Sequence, residues 1–400
     1  MSGHGRGPYP PKPEPIDPAK LGPTANMLLL VAALALVASL AGALVAREQF
    51  AFSWLLGFAY CFTLCFGALF WIIVHHAVDA DWSVAVRRVL ENVAAVLPYL
   101  ALAFVPVVLC APILLKWWTI APGVDPLLDA KRPYLNIPFF YARAALYFVV
   151  LGGMALLFRR FSRKQDEDGL AKHTLAMRRV AFAGLPLFAG SVTFAAFDWL
   201  MGLDYKWFST MWGVYLFAGA AGGSMSLLVL LVTWLRTKGY LHRVVTHEHY
   251  HIMGKLMLAF SVFWAYIAFS QYMLIWYSNI PEETSYFIRR NIGHWHTLSL
   301  ILVIGRFFIP FPLLLLQATK KNPRAICGVA GWILAMQFLD LYLVVLPMLH
   351  ERGPAPHWLD LTAPLGIAAL AGWLFLKGLS KGSVFPARDP RLRESMTLTN

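Results

Sequence analysis

Charge is scarce in this chain. Asp, Glu, Lys and Arg make up 14% of its 400 residues, against 59% hydrophobic residues. With a mean hydropathy of +0.60, that balance excludes a soluble domain of this length. Cysteine is scarcer still. Cys61, Cys65, Cys110 and Cys327 are the only four, and they form no CxxC or CxxCH. Neither a zinc ribbon nor a covalently attached c-type haem is therefore expected. The four read as small apolar packing residues. Short alternating apolar and polar runs are also missing, as is a glycine-rich dinucleotide fingerprint. A chain in lipid without strands must satisfy its backbone groups inside helices.

What the sequence does contain is long apolar runs. A spanning helix needs roughly 20 apolar residues, and ten runs qualify, at about 25–45, 50–76, 86–112, 136–158, 178–202, 210–235, 251–278, 294–317, 325–347 and 361–379. The expected fold is an all-α integral membrane protein with both tails on one side. Of the 34 Lys and Arg, Arg143 and Arg306 fall within runs, 24 fall on the side of the tails and 8 opposite. The positive-inside rule then puts both termini in the cytoplasm. This bias also accounts for the net charge of +13, so no nucleic-acid partner is expected. The proline-rich stretch from Pro8 to Pro18 reads as part of a disordered cytoplasmic tail over residues 1–24, with a second tail over 380–400.

The two halves resemble each other weakly. Phe50 and Trp54 match Phe208 and Trp212, Asp198 matches Asp340, and Arg143 has a looser counterpart in Arg306. Residues 50–203 and 208–347 then read as tandem four-helix bundles in one orientation, with the first and last spans peripheral. Pro98, Pro106, Pro186, Pro310 and Pro312 predict kinks within spans. Gly213, Gly219, Gly222 and Gly223 predict close helix contact along the sixth.

An ionisable side chain within a span is costly, and by default a functional hypothesis. Arg143 and Asp198 lie at similar depth, so they can pair if their helices are adjacent. Arg306 and Asp340 can pair likewise, although Arg306 starts deeper and has to reach outward. Near the tails, His75, His76, Asp79, Asp81 and Glu91 cluster at the second and third spans, while Tyr266, Ser270 and Gln271 add polar positions within the seventh. Protons move along hydrogen-bonded donors and acceptors, so the set reads as a candidate proton route. Uptake would be near His75, His76 and Glu91, with an outer relay at Asp198 and Arg143. The bland alternative is a set of static interhelical hydrogen bonds.

His247, Glu248 and His251 fit the HExxH pattern of zinc proteases. A third ligand in a recognisable context is missing, and the histidine-rich run makes a chance match easy, so a polar, protonatable loop is the expected reading. The remaining histidines also lie in tails, in loops or near span ends, none deep enough to face another across a b-type haem. No metal ligand set and no redox cofactor of its own are expected for this chain.

Two segments are more specific. One runs from Phe197 through Asp198, Trp199, Asp204, Tyr205 and Trp207 to Thr210. The other runs from Gly254 through Trp264, Tyr266, Ser270 and Gln271 to Pro281, Glu282, Glu283 and Thr284. Together they resemble the ActF-type membrane subunit of bacterial alternative complex III, in the polysulfide reductase NrfD-like family. The resemblance covers the chain from about the first span to the last. It implies an inner-membrane respiratory complex that oxidises quinol and reduces a cytochrome c or an oxidase. A sister NrfD-like subunit would hold the main quinol site. An iron–sulfur subunit and cytochrome c subunits would carry the electrons through clusters and haem c. For this subunit it implies a structural and proton-conducting role, with a quinone or menaquinone as the small molecule in question. Two other readings stand beside it: a secondary transporter with a charged midplane site, and a membrane zinc metalloprotease resting on the HExxH match.

Overall fold

The computed structural model describes residues 12–399. The chain is an all-α integral membrane protein with ten helices long and apolar enough to cross a bilayer. They are α1 (Pro18–Val45), α2 (Arg47–Ala77), α3 (Val84–Leu109), α4 (Ile137–Asp168), α5 (Lys172–Leu203), α6 (Trp212–Thr237), α7 (His247–Ser278), α8 (His294–Leu315), α9 (Pro323–Met348) and α10 (Leu359–Leu379). No strand occurs among the described residues; one isolated bridge joins Pro15 to Ser383. That bridge holds both described ends on one side, called here the tail face.

Local chemistry sets several helix ends. Asp17, Asn136 and Asn322 each accept backbone N–H bonds as N-caps, each with proline at one of the next two positions. Gly169 closes α4 and Asn279 closes α7 in the left-handed conformation. The expected disorder over residues 1–24 does not hold for 12–24, and residues 1–11 lie outside the described part. Ile16 and Leu21 are buried, and α1 begins at Pro18 because the Asp17–Pro18 pair is a helix start. Glu14 accepts from the backbone N–H of Val384 and Leu241 and donates its own to Ser383 Oγ, so the tails hold each other.

Helices α2 to α5 pack as one four-membered ring and α6 to α9 as another. The two rings meet mainly along α2 and α6. Helix α10 lies against α2, and α1 lies against α10. Burial follows this order: 83% of the apolar window of α2 is buried and 72% of those of α6 and α9, against 22% for α1. Little polar surface is available to glue α2 to α6, so the backbones must approach closely. Gly67 allows this, since a Cβ there would strike Ala220 O and come within 2.6 Å of Ser224 Oγ. The sixth-span glycines face several neighbours: Gly213 meets Thr193, Gly222 meets Phe260, Gly223 meets Leu64 and Gln337, and Gly219 meets Arg306 and Gln337.

Gly67→Leu is therefore expected to destabilise the chain by about 1–3 kcal/mol through overpacking. Gly153→Leu, at a position with nothing within 4 Å, is expected to leave stability unchanged. Thermal unfolding of the two variants in one detergent compares them directly.

Candidate functional site

Each ring buries one arginine–aspartate pair, and in each the arginine is on the third helix and the aspartate on the fourth. In the first ring, Arg143 of α4 grips Asp198 of α5 with two parallel bonds, Nε to Oδ2 and Nη2 to Oδ1, both 2.8 Å. Tyr147 donates to the same carboxylate at 2.7 Å. The remaining guanidinium nitrogen donates to Tyr134 O at 2.9 Å. The rings of Tyr134 and Phe139 sit 3.8 and 4.3 Å from the guanidinium carbon. Each oxygen of Asp198 is occupied and its side chain is fully buried.

The second pair draws on all four helices of its ring. Arg306 of α8 donates to Asp340 of α9 at 2.9 Å through one nitrogen only. Its other terminal nitrogen donates to Gln337 Oε1. Tyr215 of α6 donates to Asp340 Oδ1, and Trp264 of α7 donates to Oδ2 at 3.2 Å. Gly219 of α6 makes room, since a Cβ there would lie 2.7 Å from Arg306 Nη2. Arg306 sits in a π-helical turn, Ile304–Phe308, closed by a bond from Ile309 N to Ile304 O. Pro310 and Pro312 explain the turn, because each removes an N–H that a regular helix would use.

Beside this pair lies a cavity of about 900 Å³. Asp340, Tyr215 and Trp264 line it, with Gln271, His296 and Ser299 as further polar groups. Its mouth faces sideways between α7 and α8, where the lining residues Tyr266, Phe269 and Phe308 are exposed. The roof is the short helix Pro281–Arg289 with Arg290. Arg290 donates to Leu343 O at 2.7 Å and Val344 O at 2.8 Å and stacks on Tyr286, 3.4 Å from its ring centre. Burial pushes the Tyr286 phenol up to about 12, so it stays protonated at any physiological pH.

The two specific sequence segments meet at this roof. Trp207 stacks on Tyr286 at 4.3 Å and donates to Glu283 O at 3.0 Å. Asp204 pairs with Arg289 at 3.0 Å, and Ser209 donates to Gln271 at 2.8 Å. Residues far apart in the chain thus build one wall and one lid.

On the tail face, His75, His76 and Glu91 gather around two buried arginines. Arg87 donates to Glu91 at 3.0 Å, Asp389 at 2.9 Å and His75 Nε2 at 2.9 Å. Accepting there leaves the His75 proton on Nδ1, which donates to Ser83. Arg88 pairs with Glu91 and with Asp166. His76 stacks on Phe158. Asp79 stands apart, in the loop after α2, where a bond from Arg178 holds its carboxyl below the usual range. The tail-face group and the Arg306 pair are separate. Tyr60, which donates to Leu334 O and packs edge-on against Phe338 of α9 near the Arg306 pair, is about 22 Å along α2 from His75 at 1.5 Å per residue. The hydroxyls between them, Thr63, Ser224 and Ser226, all donate to carbonyls of their own helices. Tyr266 faces outward, and Ser270 is half-buried.

The HExxH segment opens α7 and serves its N-terminus. His249 forms a capping box with Thr246 and bonds Ser395, His247 bonds Lys321 O, and Glu248 pairs with Lys321 at 2.6 Å. Among the described residues no three His, Cys, Asp or Glu side chains are placed to hold a metal.

Several participants escape a reading by sequence. Tyr215 and Trp264 look like ordinary core aromatics, and Asp389 comes from the distant tail. Arg87 and Arg88 had a signal, since Glu91 follows them at helical i+4 and i+3 spacing. No protein-family model matches the chain, and no curated protein is similar to it.

Removing the charge at Asp340 alone, as in Asp340→Asn, leaves Arg306 uncompensated and is expected to cost about 3–5 kcal/mol. The double change Arg306→Met with Asp340→Leu is expected to recover most of that loss. Thermal unfolding of the single and double variants measures the difference.

Proposed function

We propose that the chain is a bacterial inner-membrane subunit of a respiratory complex of the alternative complex III type, which oxidises quinol and passes electrons to a cytochrome c or an oxidase. The observation that carries this reading is the convergence of the two family-like segments on the roof and wall of one cavity beside a buried carboxylate. A cavity of about 900 Å³ with aromatic walls and a few convergent polar groups suits the ring and first isoprenoid units of a quinol or menaquinol. Its sideways mouth allows exchange with the bilayer.

The chain supplies no deep histidine pair and no cysteine cluster to hold a redox centre. Electrons on this reading travel through haem c and iron–sulfur clusters of partner subunits, beside a sister NrfD-like subunit. This chain contributes scaffold and proton-handling groups. Asp340 is the carboxylate placed for that work, because it borders the cavity and its arginine holds it through a single nitrogen. Asp198 is sealed and serves as a clamp. The tail face is the cytoplasmic one, which the distribution of Lys and Arg supports.

Purification of the tagged chain from native membranes in mild detergent tests membership. Stoichiometric haem c and iron–sulfur proteins with quinol-oxidising activity are expected. A homogeneous particle without haem would contradict the reading and favour a secondary transporter, for which the repeated buried pairs are the supporting feature. Topology is tested separately: a reporter active only in the periplasm should be silent when fused after residue 400 and active when inserted near Glu282.

A further inference from the structure

The tail-face end of α4 carries more positive charge than the fold neutralises. Arg159 and Arg163 lie one turn apart there, both half-buried, and both donate to a single carbonyl, Gly378 O of α10, at 2.8 and 3.0 Å. Each Nε is buried without a hydrogen-bond partner. The nearby acids are already engaged: Glu91 holds Arg87 and Arg88, and Asp166 holds Arg88. Among the described residues, neither Arg159 nor Arg163 forms an ion pair, and neither do Arg160, Lys164, Lys377 and Lys381 around them. Two guanidiniums sharing one carbonyl repel each other, and among the described residues no carboxylate forms an ion pair with either; Glu91 and Asp166 act on them only from a distance.

The surroundings point to what balances them. One turn deeper in α4, Leu156 and Leu157 are exposed, and on the adjoining α3 Tyr99 and Leu102 are exposed too. Helices α3 and α4 touch just beyond, where a Cβ at Gly152 would lie 3.1 Å from Pro98. Charge at the end of a span with an apolar surface directly below it matches a phospholipid: phosphate above, acyl chain beneath. Basic recesses between transmembrane helices on the cytoplasmic side bind such head groups.

We infer that Arg159 and Arg163 form a binding site for the phosphate of an anionic membrane phospholipid, in the recess between α3, α4 and α10. The lipid completes the charge balance at this corner and fastens α10, and through it α1, to the first ring. The site lies on the opposite face from the cavity beside Asp340 and does not depend on a quinol reading.

The test compares the full chain with Arg159→Gln/Arg163→Gln in nanodiscs of phosphatidylcholine alone or with phosphatidylglycerol added. Two basic groups near the surface predict roughly a thirtyfold preference for the anionic lipid, at about fivefold each. The double variant should lose that preference and the accompanying gain in melting temperature. Equal lipid preference in wild type and variant would overturn the site. A third arm adds inorganic phosphate or glycerol phosphate to detergent-solubilised protein. Stabilisation by these alone, equal to that by lipid, would overturn the lipid assignment in favour of a soluble anion. A variant that fails to fold leaves a second measurement, native mass spectrometry of the wild-type chain. At least one retained anionic lipid is expected, and a chain released without any would contradict the inference.

Discussion

An ionised arginine inside a lipid-facing bundle is tolerable only when a carboxylate and enough hydrogen bonds meet it there. That requirement organises both halves of the molecule. Arg143 and Asp198 fix α4 against α5, and Arg306 and Asp340 fix α8 against α9. Because each pair must close inside its own ring, the third and fourth helices of each ring are held in register. The fit then propagates to α6, where Gly219 leaves room for the guanidinium, and to the glycine contact that joins the rings at Gly67.

One layout has become two devices. The first pair is bidentate, wrapped by Tyr134 and Phe139, and closed to the outside. The second borrows partners from four helices, follows a π-helical turn and borders a cavity. The difference traces to a few residues. Pro310 and Pro312 disturb the hydrogen-bond ladder of α8, while α4 runs unbroken past Arg143. The loosened turn and the lid Pro281–Arg289 leave space that the first ring fills with aromatic side chains. Phe58, Phe62, Phe104 and Trp199 pack ring against ring there.

The helical membrane fold was legible in the sequence because it rests on run length and charge scarcity, which are local quantities. The pairing of Arg143 with Asp198 was legible too, since depth along a helix follows from counting residues; for Arg306 and Asp340 the same count leaves a mismatch in depth that the long arginine side chain spans. The cavity was not, because it is a property of what several helices fail to fill. Nor was the role of Asp389, whose approach to Arg87 depends on the path of the tail. The proline-rich start misled: the run from Pro8 to Pro18 suggested disorder over residues 1–24, yet proline at the first position of a helix is compatible with order, and α1 begins at Pro18. The HExxH segment reads in sequence as a polar loop and not as a zinc site; it forms instead the first turn of α7, where its histidines cap and anchor the helix.

The central claim is that Asp340, and not Asp198, is the working carboxylate of the proposed complex. Proton translocation per electron, measured with the assembled complex in vesicles and normalised to haem, tests it most directly. The account predicts that complexes bearing Asp198→Asn translocate protons like wild type once assembled, whereas Asp340→Asn complexes lose translocation. Wild-type translocation by the Asp340→Asn complex, or a loss confined to Asp198→Asn, would contradict it.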